Sequence, residues 1–292
     1  MKRITNSLDA THDPATYGYS GLNSEPLCVC AGMGVDSTAM LIGLHRRGVR
    51  PDLITFADVG SEKHETYLFV PILRQWLRDV GFPDLVVVRL RCPISRHESL
   101  HDSMLANKTL PSQAFGLKSC TLRWKVAPQD DWCIRWEPIA SLIGTGRKVH
   151  KMIGFDATEG HRIKSGGTYG IKSAEKKHRR LRDVYAVEFP LREWGWTREK
   201  CKQEIRNAEL PVPVKSACFC CPASKKSELA TLDIKQLETA CRMERQYLNG
   251  HHYRPDSTTV GLGRRWAWGP FLTKRIDNAC QSADMQLTDK PT

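Results

Sequence analysis

With 292 residues, 40% of them hydrophobic, the chain can bury a full core, either as one large domain or as one domain with an extension. It has no run of about 18 uncharged apolar residues, and its opening MKRITNSLDATHDP lacks the apolar centre of a secretory signal. The expectation is therefore a cytoplasmic protein with no membrane span. The net charge of +12 excludes little: it suits nucleic acid or a phosphate-rich substrate, and equally a solvated loop, since Lys172–Arg182 carries much of the excess.

Residues 1–24 are polar and aperiodic and read as a loose tail. Leu27–Ala31 is an apolar run of strand character, broken by Gly32-Met33-Gly34. Asp36-Ser37-Thr38 then offers capping side chains to a helix that runs to about Arg47 and stops at Gly48. Pro51–Phe56 is a second strand. Glu65–Val80 follows as an amphipathic helix, with Leu68, Phe69, Ile72, Leu73, Trp76 and Leu77 on one side. Leu85–Leu90, rich in β-branched residues, is a third strand. Residues 92–118 read as a long loop or short helices. A helix then runs from Ser119 to about Trp136, and Lys148–Phe155 is a fourth strand. Tyr185–Leu191 is a fifth, followed by a helix from Trp196 to Ile205 capped by Thr197. The remainder is helical, most clearly Ser227–Leu248. Strands alternating with helices at this spacing imply a doubly wound α/β fold with a largely parallel sheet. The expected domains are 25–215, an α/β unit, and 216–292, a cysteine-containing, mostly helical region packed on it.

The strand, glycine turn and helix start at residues 27–44 carry the first chemical signal. Unpaired N–H groups at a helix start, approached closely through glycines, make a site for anions. No Gly-Lys-Ser/Thr follows, so this is not a Walker loop, and the third glycine of a dinucleotide fingerprint is missing. The pattern G-x-G-x-D-S-T resembles the pyrophosphate-binding loop, usually S-G-G-x-D-S, of ATP pyrophosphatases and phosphoadenylyl-sulfate (PAPS) reductases. Gly32 stands in place of that serine and Met33 in place of the first glycine.

Four further segments, in order, are similar to the PAPS reductase branch of the adenine nucleotide α-hydrolase superfamily. Phe56-Ala-Asp-Val-Gly-Ser-Glu-Lys-His-Glu-Thr66 resembles D-T-G-x-E-x-x-E-T, and Cys120-Thr-Leu-Arg-Trp-Lys-Val-Ala-Pro128 resembles C-x(4)-K-x-x-P. Gly154-Phe-Asp-Ala-Thr-Glu-Gly-His-Arg162 resembles G-I-R-x-x-E-x-x-R, and Phe189-Pro-Leu-Arg-Glu-Trp194 resembles P-L-x-x-W. The resemblance implies a five-stranded sheet with an adenine nucleotide, ATP or PAPS, across its carboxyl edge. Gly32, Gly34, Asp36, Ser37 and Thr38 would cradle the phosphates, with Asp36 also suited to Mg²⁺. Asp58, Gly60, Glu62 and Glu159 would flank the nucleotide. Lys125 and Arg162, with Arg123 as a further candidate, would neutralise phosphate or sulfonyl oxygens. Residue by residue, a plainer reading stands beside this one: Asp58 as part of a capped turn, Lys125 as a solvated helix residue, and Glu159 paired with Arg162.

Eleven cysteines are too many and too odd a number for a simple disulfide scaffold in a chain of this size. Cys28 and Cys30 read as small buried hydrophobes. In the resemblance, Cys120 with Cys218-x-x-Cys221 would hold a [4Fe-4S] cluster, with Cys220 or Cys133 as fourth ligand. Zinc is the alternative, and buried unligated thiols are the plain one. PAPS reductases close with an E-C-G-I-H-type tail, whereas this chain has Asp277-Asn-Ala-Cys280-Gln. The expected activity is therefore adenylation of an acceptor with release of pyrophosphate, followed by displacement of AMP by sulfur or another nucleophile. DNA or tRNA would be the acceptor and a partner protein the sulfur donor. Sulfonucleotide reduction through Cys280 or a partner thiol, and a non-catalytic nucleotide sensor or nucleic-acid-binding module, are the alternatives.

Overall fold

The computed structural model describes residues 12–19, 25–90, 97–111, 119–160, 183–254 and 259–273. The chain divides into two compact units, Met1–Leu100 with Gln113–Cys218, and His101–Ser112 with Phe219–Thr292. The second thus takes up a segment from the middle of the chain as well as its C-terminal part.

The first unit is built on five strands: β1 (Leu27–Cys30), β2 (Leu53–Ala57), β3 (Leu85–Val88), β4 (Val149–Ile153) and β5 (Tyr185–Glu188). They form an all-parallel sheet in the order β3-β2-β1-β4-β5. Every residue of β2 and β3 is buried, which is why both read as unbroken apolar runs rather than alternating ones. One face packs against α1 (Val35–Arg46) and α2 (His64–Asp79), with Val29, Leu41, Phe56, Leu73 and Val87 in a single cluster. The other face, Cys28, Leu53, Val86 and Val149, packs against Trp132, Trp136 and Ile139. Helices on both faces of a parallel sheet are the α/β architecture expected, and the strand order is consistent with a Rossmann-like or nucleotide α-hydrolase fold.

Several boundaries differ from the sequence reading. Asp36, Ser37 and Thr38 do not cap α1. Gly34 is its N-cap without a side-chain bond, and the Ser37 and Thr38 hydroxyls instead donate back to the Gly34 carbonyl at 3.2 and 2.9 Å. In α2 the buried stripe is Thr66, Phe69, Val70, Leu73 and Leu77, whereas Leu68 and Ile72 are exposed. Both fall in an i, i+4 pattern of their own, so periodicity alone cannot say which stripe faces the core. The fifth strand stops at Glu188, because Pro190 opens the short helix α7 (Pro190–Glu193) at a position where its missing N–H costs nothing.

Residues 119–133 are helical but not uniformly so: α4 (Ser119–Thr121) passes into a π-helical segment, Leu122–Val126, and then α5 (Ala127–Cys133). A short helix, α6 (Glu137–Ala140), follows. Part of the supposed loose tail is docked. The indole N–H groups of Trp132 and Trp136 donate to the His12 and Tyr17 carbonyls, and Tyr17 packs edge-on against both rings. After α7, Thr197 caps α8 (Arg198–Asn207) as expected, accepting from the Lys200 N–H.

The second unit contains most of α3 (Leu100–Asn107), a 3₁₀ helix over Lys226–Thr231 and α9 (Ile234–Leu248), whose cap Asp233 accepts from the Gln236 N–H at 2.8 Å. His101 meets Phe219 with ring centroids 5.3 Å apart, which ties the inserted segment to the rest of that unit. Among the described residues, no helix is long and apolar enough to cross a membrane.

Candidate functional site

The strand order reverses between β1 and β4, one leading toward β2 and β3, the other toward β5. In open parallel sheets the crevice beyond the carboxyl ends at such a reversal is where ligands bind. Two of the motif segments meet there, together with the start of α8 (Arg198–Asn207).

The first is the β1–α1 turn. Met33 lies at φ +57°, a left-handed conformation that favours glycine. The buried Met33 side chain compensates by joining the core. The Gly32 N–H donates to Ser37 Oγ at 3.1 Å. Ser37 and Thr38 therefore fix the turn from within, while Asp36 lies in the first turn of α1.

The second is the end of β4. Gly154 crosses the start of α1 so closely that a β-carbon there would lie 2.8 Å from the Ser37 nitrogen and 2.9 Å from the Asp36 carbonyl carbon. That approach brings Asp156 and Glu159 beside Asp36, with one carboxylate oxygen of each within 4.8 Å of the others. Asp156 is buried and accepts from the Thr158 N–H and hydroxyl at 2.8 and 2.5 Å, which fixes its orientation. The third piece is Arg198, the first residue of α8, whose guanidinium donates to Asp36.

Two unit charges of like sign about 5 Å apart repel by roughly 3 kcal/mol at the effective dielectric of a protein surface. Burial raises the Asp36 carboxyl above its usual range. Arg198 opposes that rise, and Asp156 and Glu159 add to it. The same field reaches Cys201, whose thiol is pushed up to about 12 by burial and then by Asp36 and Asp156. Three hard oxygen donors within reach of one ion suit a divalent cation such as Mg²⁺. Among the described residues this is the one such group of histidine, cysteine, aspartate and glutamate side chains, and no cysteine belongs to it.

Beyond β2, Glu62 is almost wholly buried and accepts from the Lys125 ammonium at 2.6 Å. Lys125 is brought there by the π-helical segment, an irregularity often found at functional sites, while Arg123 on the same segment is exposed. Glu62 Oε2 is buried without a hydrogen-bond partner. Asp58 is an organiser of the turn: it accepts from both the Arg89 Nη2, at 2.6 Å, and Nε, and from the Tyr67 hydroxyl and the Gly60 N–H, each at 2.8 Å. Gly60 has φ +65°, which the turn requires. The chain returns over this edge at residues 216–218. The Lys63 N–H donates to the Ala217 carbonyl, Glu62 and Cys218 form an antiparallel bridge, and a β-carbon at Gly34 would meet Ser216 Cβ at 3.3 Å.

Gly32, Gly34, Asp36, Ser37, Thr38 and Glu159 thus gather at the β1/β4 reversal, whereas Glu62 and Lys125 pair with each other. Arg162 and Cys280 lie outside the described residues, as does Lys172–Arg182. Cys120 and Cys218 belong to the first unit, Cys220 and Cys221 to the second; Cys220 is buried and the other three are half-buried. Sequence reasoning missed Arg198, Asp156 and Ser216 as site residues. Trp194 of the P-L-x-x-W segment serves packing: it covers Gly43 of α1 and stacks beneath the Arg47 guanidinium, 3.9 Å from its ring centroid. No protein-family model matches the chain, and no curated protein or solved structure matches it significantly.

Proposed function

We propose that the first unit binds an adenine nucleotide as its Mg²⁺ complex at the β1/β4 reversal and adenylates an acceptor. The observation that carries this reading is the meeting of a glycine turn, a helix start and three crowded carboxylates at one point of the carboxyl edge. Asp36, Asp156 and Glu159 would hold the ion, which when bound draws charge from the phosphates. Backbone N–H groups at the start of α1, with the Ser37 and Thr38 hydroxyls, would position the phosphate chain. Arg198 would turn from Asp36 toward a phosphate oxygen as the ion takes its place.

In the reaction, an acceptor oxygen attacks the α-phosphorus, the bond to the bridging oxygen breaks, and pyrophosphate departs with that electron pair. The acceptor proton passes to solvent. A second nucleophile then displaces AMP from the adenylated acceptor. This chain contributes positioning and charge neutralisation.

Iron–sulfur or zinc binding by the cysteines is a separate proposal that rests on thiolate donor chemistry alone, since among the described residues no cysteine belongs to a group of three metal-ligating side chains. Iron, sulfide and zinc analysis of anaerobically purified protein decides it.

The reading is tested by product analysis with α-labelled ATP and with PAPS, each with Mg²⁺ and with or without DNA or tRNA. AMP and pyrophosphate from ATP, lost in Asp36→Ala, support it. Sulfite from PAPS, lost in Cys280→Ser, would replace it with sulfonucleotide reduction. Binding of nucleotide with neither product would leave a sensor.

A further inference from the structure

The second unit holds a construction that the nucleotide reading does not use. Residues 259–273 contain two arginines and no acidic residue. Gly261 and Arg264 form an isolated antiparallel bridge that closes a tight turn, and Arg264 sits at φ +64°, a conformation its β-carbon disfavours. A strained turn of this kind persists only where its surroundings hold it.

Here it is held by Glu244 of α9, a buried carboxylate that accepts from the backbone N–H groups of Leu262, Trp268 and Gly269 at 2.8, 2.9 and 2.8 Å. The fit leaves no room for side chains: a β-carbon at Gly261 would lie 2.2 Å from Glu244 Oε1, and one at Gly263 would lie 2.2 Å from the Trp266 ring. The turn therefore presents Arg264 and Arg265, both exposed, beside the partly exposed Trp266. Neither guanidinium has an ion-pair partner among the described residues. Trp266 lies against Trp268 and Phe271, with ring centroids 6.1 and 5.5 Å away, and the Lys226 ammonium stands 5.3 Å over its ring.

We propose that this turn is a binding surface for single-stranded nucleic acid, with Trp266 stacking on a base and Arg264, Arg265 and Lys226 neutralising the adjoining phosphates. Two exposed arginines followed in the chain by a partly exposed tryptophan match the two requirements of a single strand, a stacking platform and counter-charge along the backbone. The surface stands on observations within the second unit; that its ligand is the acceptor for adenylation rests on the reading above.

The test is fluorescence anisotropy of a labelled single-stranded oligonucleotide of roughly 16 residues, titrated with the full chain over a range of salt concentrations. The expected result is tighter binding to the single strand than to its duplex or to heparin. Trp266→Ala should weaken binding about tenfold with the salt slope unchanged, and Trp266→Phe should recover most of the loss. Arg264→Ser with Arg265→Ser should lower the salt slope by about 1.4. Thermal melts confirm that each variant is folded, and the arginine pair decides should Trp266→Ala fail to fold. Equal affinity across the variants, or equal binding to duplex or heparin, overturns the proposal. Asp36→Asn should bind the oligonucleotide as the wild type does, so its loss of ATP binding bears on the adenylation reading alone.

Discussion

The two ends of the central sheet treat charge in opposite ways. At the amino end, each polar group answers a structural need. Asp52 accepts from the Leu27 N–H at 2.9 Å and Glu25 from the Lys148 N–H at 2.7 Å, while His150 lies between Glu188 and Glu25. At the carboxyl end, one carboxylate oxygen each of Asp36, Asp156 and Glu159 lie within 4.8 Å of one another, Arg198 donates to Asp36, and Glu62 Oε2 is buried without a hydrogen-bond partner among the described residues. The same sheet supports both ends, so strand pairing does not explain the contrast. At the amino end charged groups meet partners, whereas at the carboxyl end three groups of like charge are brought together.

That contrast can be broken most severely at Lys125. Lys125→Met leaves the buried Glu62 carboxylate without its cation and should cost about 3 kcal/mol in urea denaturation. Adding Glu62→Gln should recover most of this, whereas a double variant no more stable than the single one would show that the pair is not the cause.

Asp36→Asn separates the two roles of the crowded site. Nucleotide binding should fall about 100-fold, or roughly 2.7 kcal/mol, while stability at pH 7 rises by about 1 kcal/mol. The sign follows from the raised carboxyl of Asp36. An acid held above its unfolded value destabilises the fold fully once pH exceeds its folded value, and not at all below the unfolded value near 3.9. The stability gain should therefore vanish as pH falls through that range.

Gly154→Ala tests whether the two motifs must approach so closely. A β-carbon forced against the α1 backbone should cost about 2 kcal/mol and weaken nucleotide binding as well. An unchanged denaturation midpoint would mean that the approach has slack.

The smallest effect belongs to the amino end. The hydrogen bond that His150 donates to Glu188, followed by the charges of Glu188 and Glu25, raises His150 despite partial desolvation. Its contribution is fully present below the unfolded histidine value near 6.5 and is lost as pH rises through the folded value. The difference between wild type and His150→Gln should be under about 1 kcal/mol at pH 6, because the group is partly exposed and screened, and should disappear in alkaline solution. Nucleotide binding should not change.

Much of the sheet was legible because its strands are buried apolar runs and the turn after β1 is marked by two glycines. Thr197 was legible as a cap because its role is local. Arg198 was not: it meets Asp36 across 162 residues of sequence and falls just outside the P-L-x-x-W segment. Asp156 stood within a recognised segment, but only the Gly154 crossing shows that it faces Asp36. The π-helical turn beneath Lys125 leaves no periodic trace over five residues. Leu68 and Ile72 misled for the opposite reason, since their spacing is helical although they face outward.

The central claim, that the crowded carboxylates are kept for a metal–nucleotide complex, is tested most directly by calorimetric titration with a non-hydrolysable ATP analogue, with Mg²⁺ and with EDTA. The account predicts Mg²⁺-dependent binding that His150→Gln retains and Asp36→Asn loses. Binding of equal strength in EDTA, or undiminished in Asp36→Asn, would contradict it.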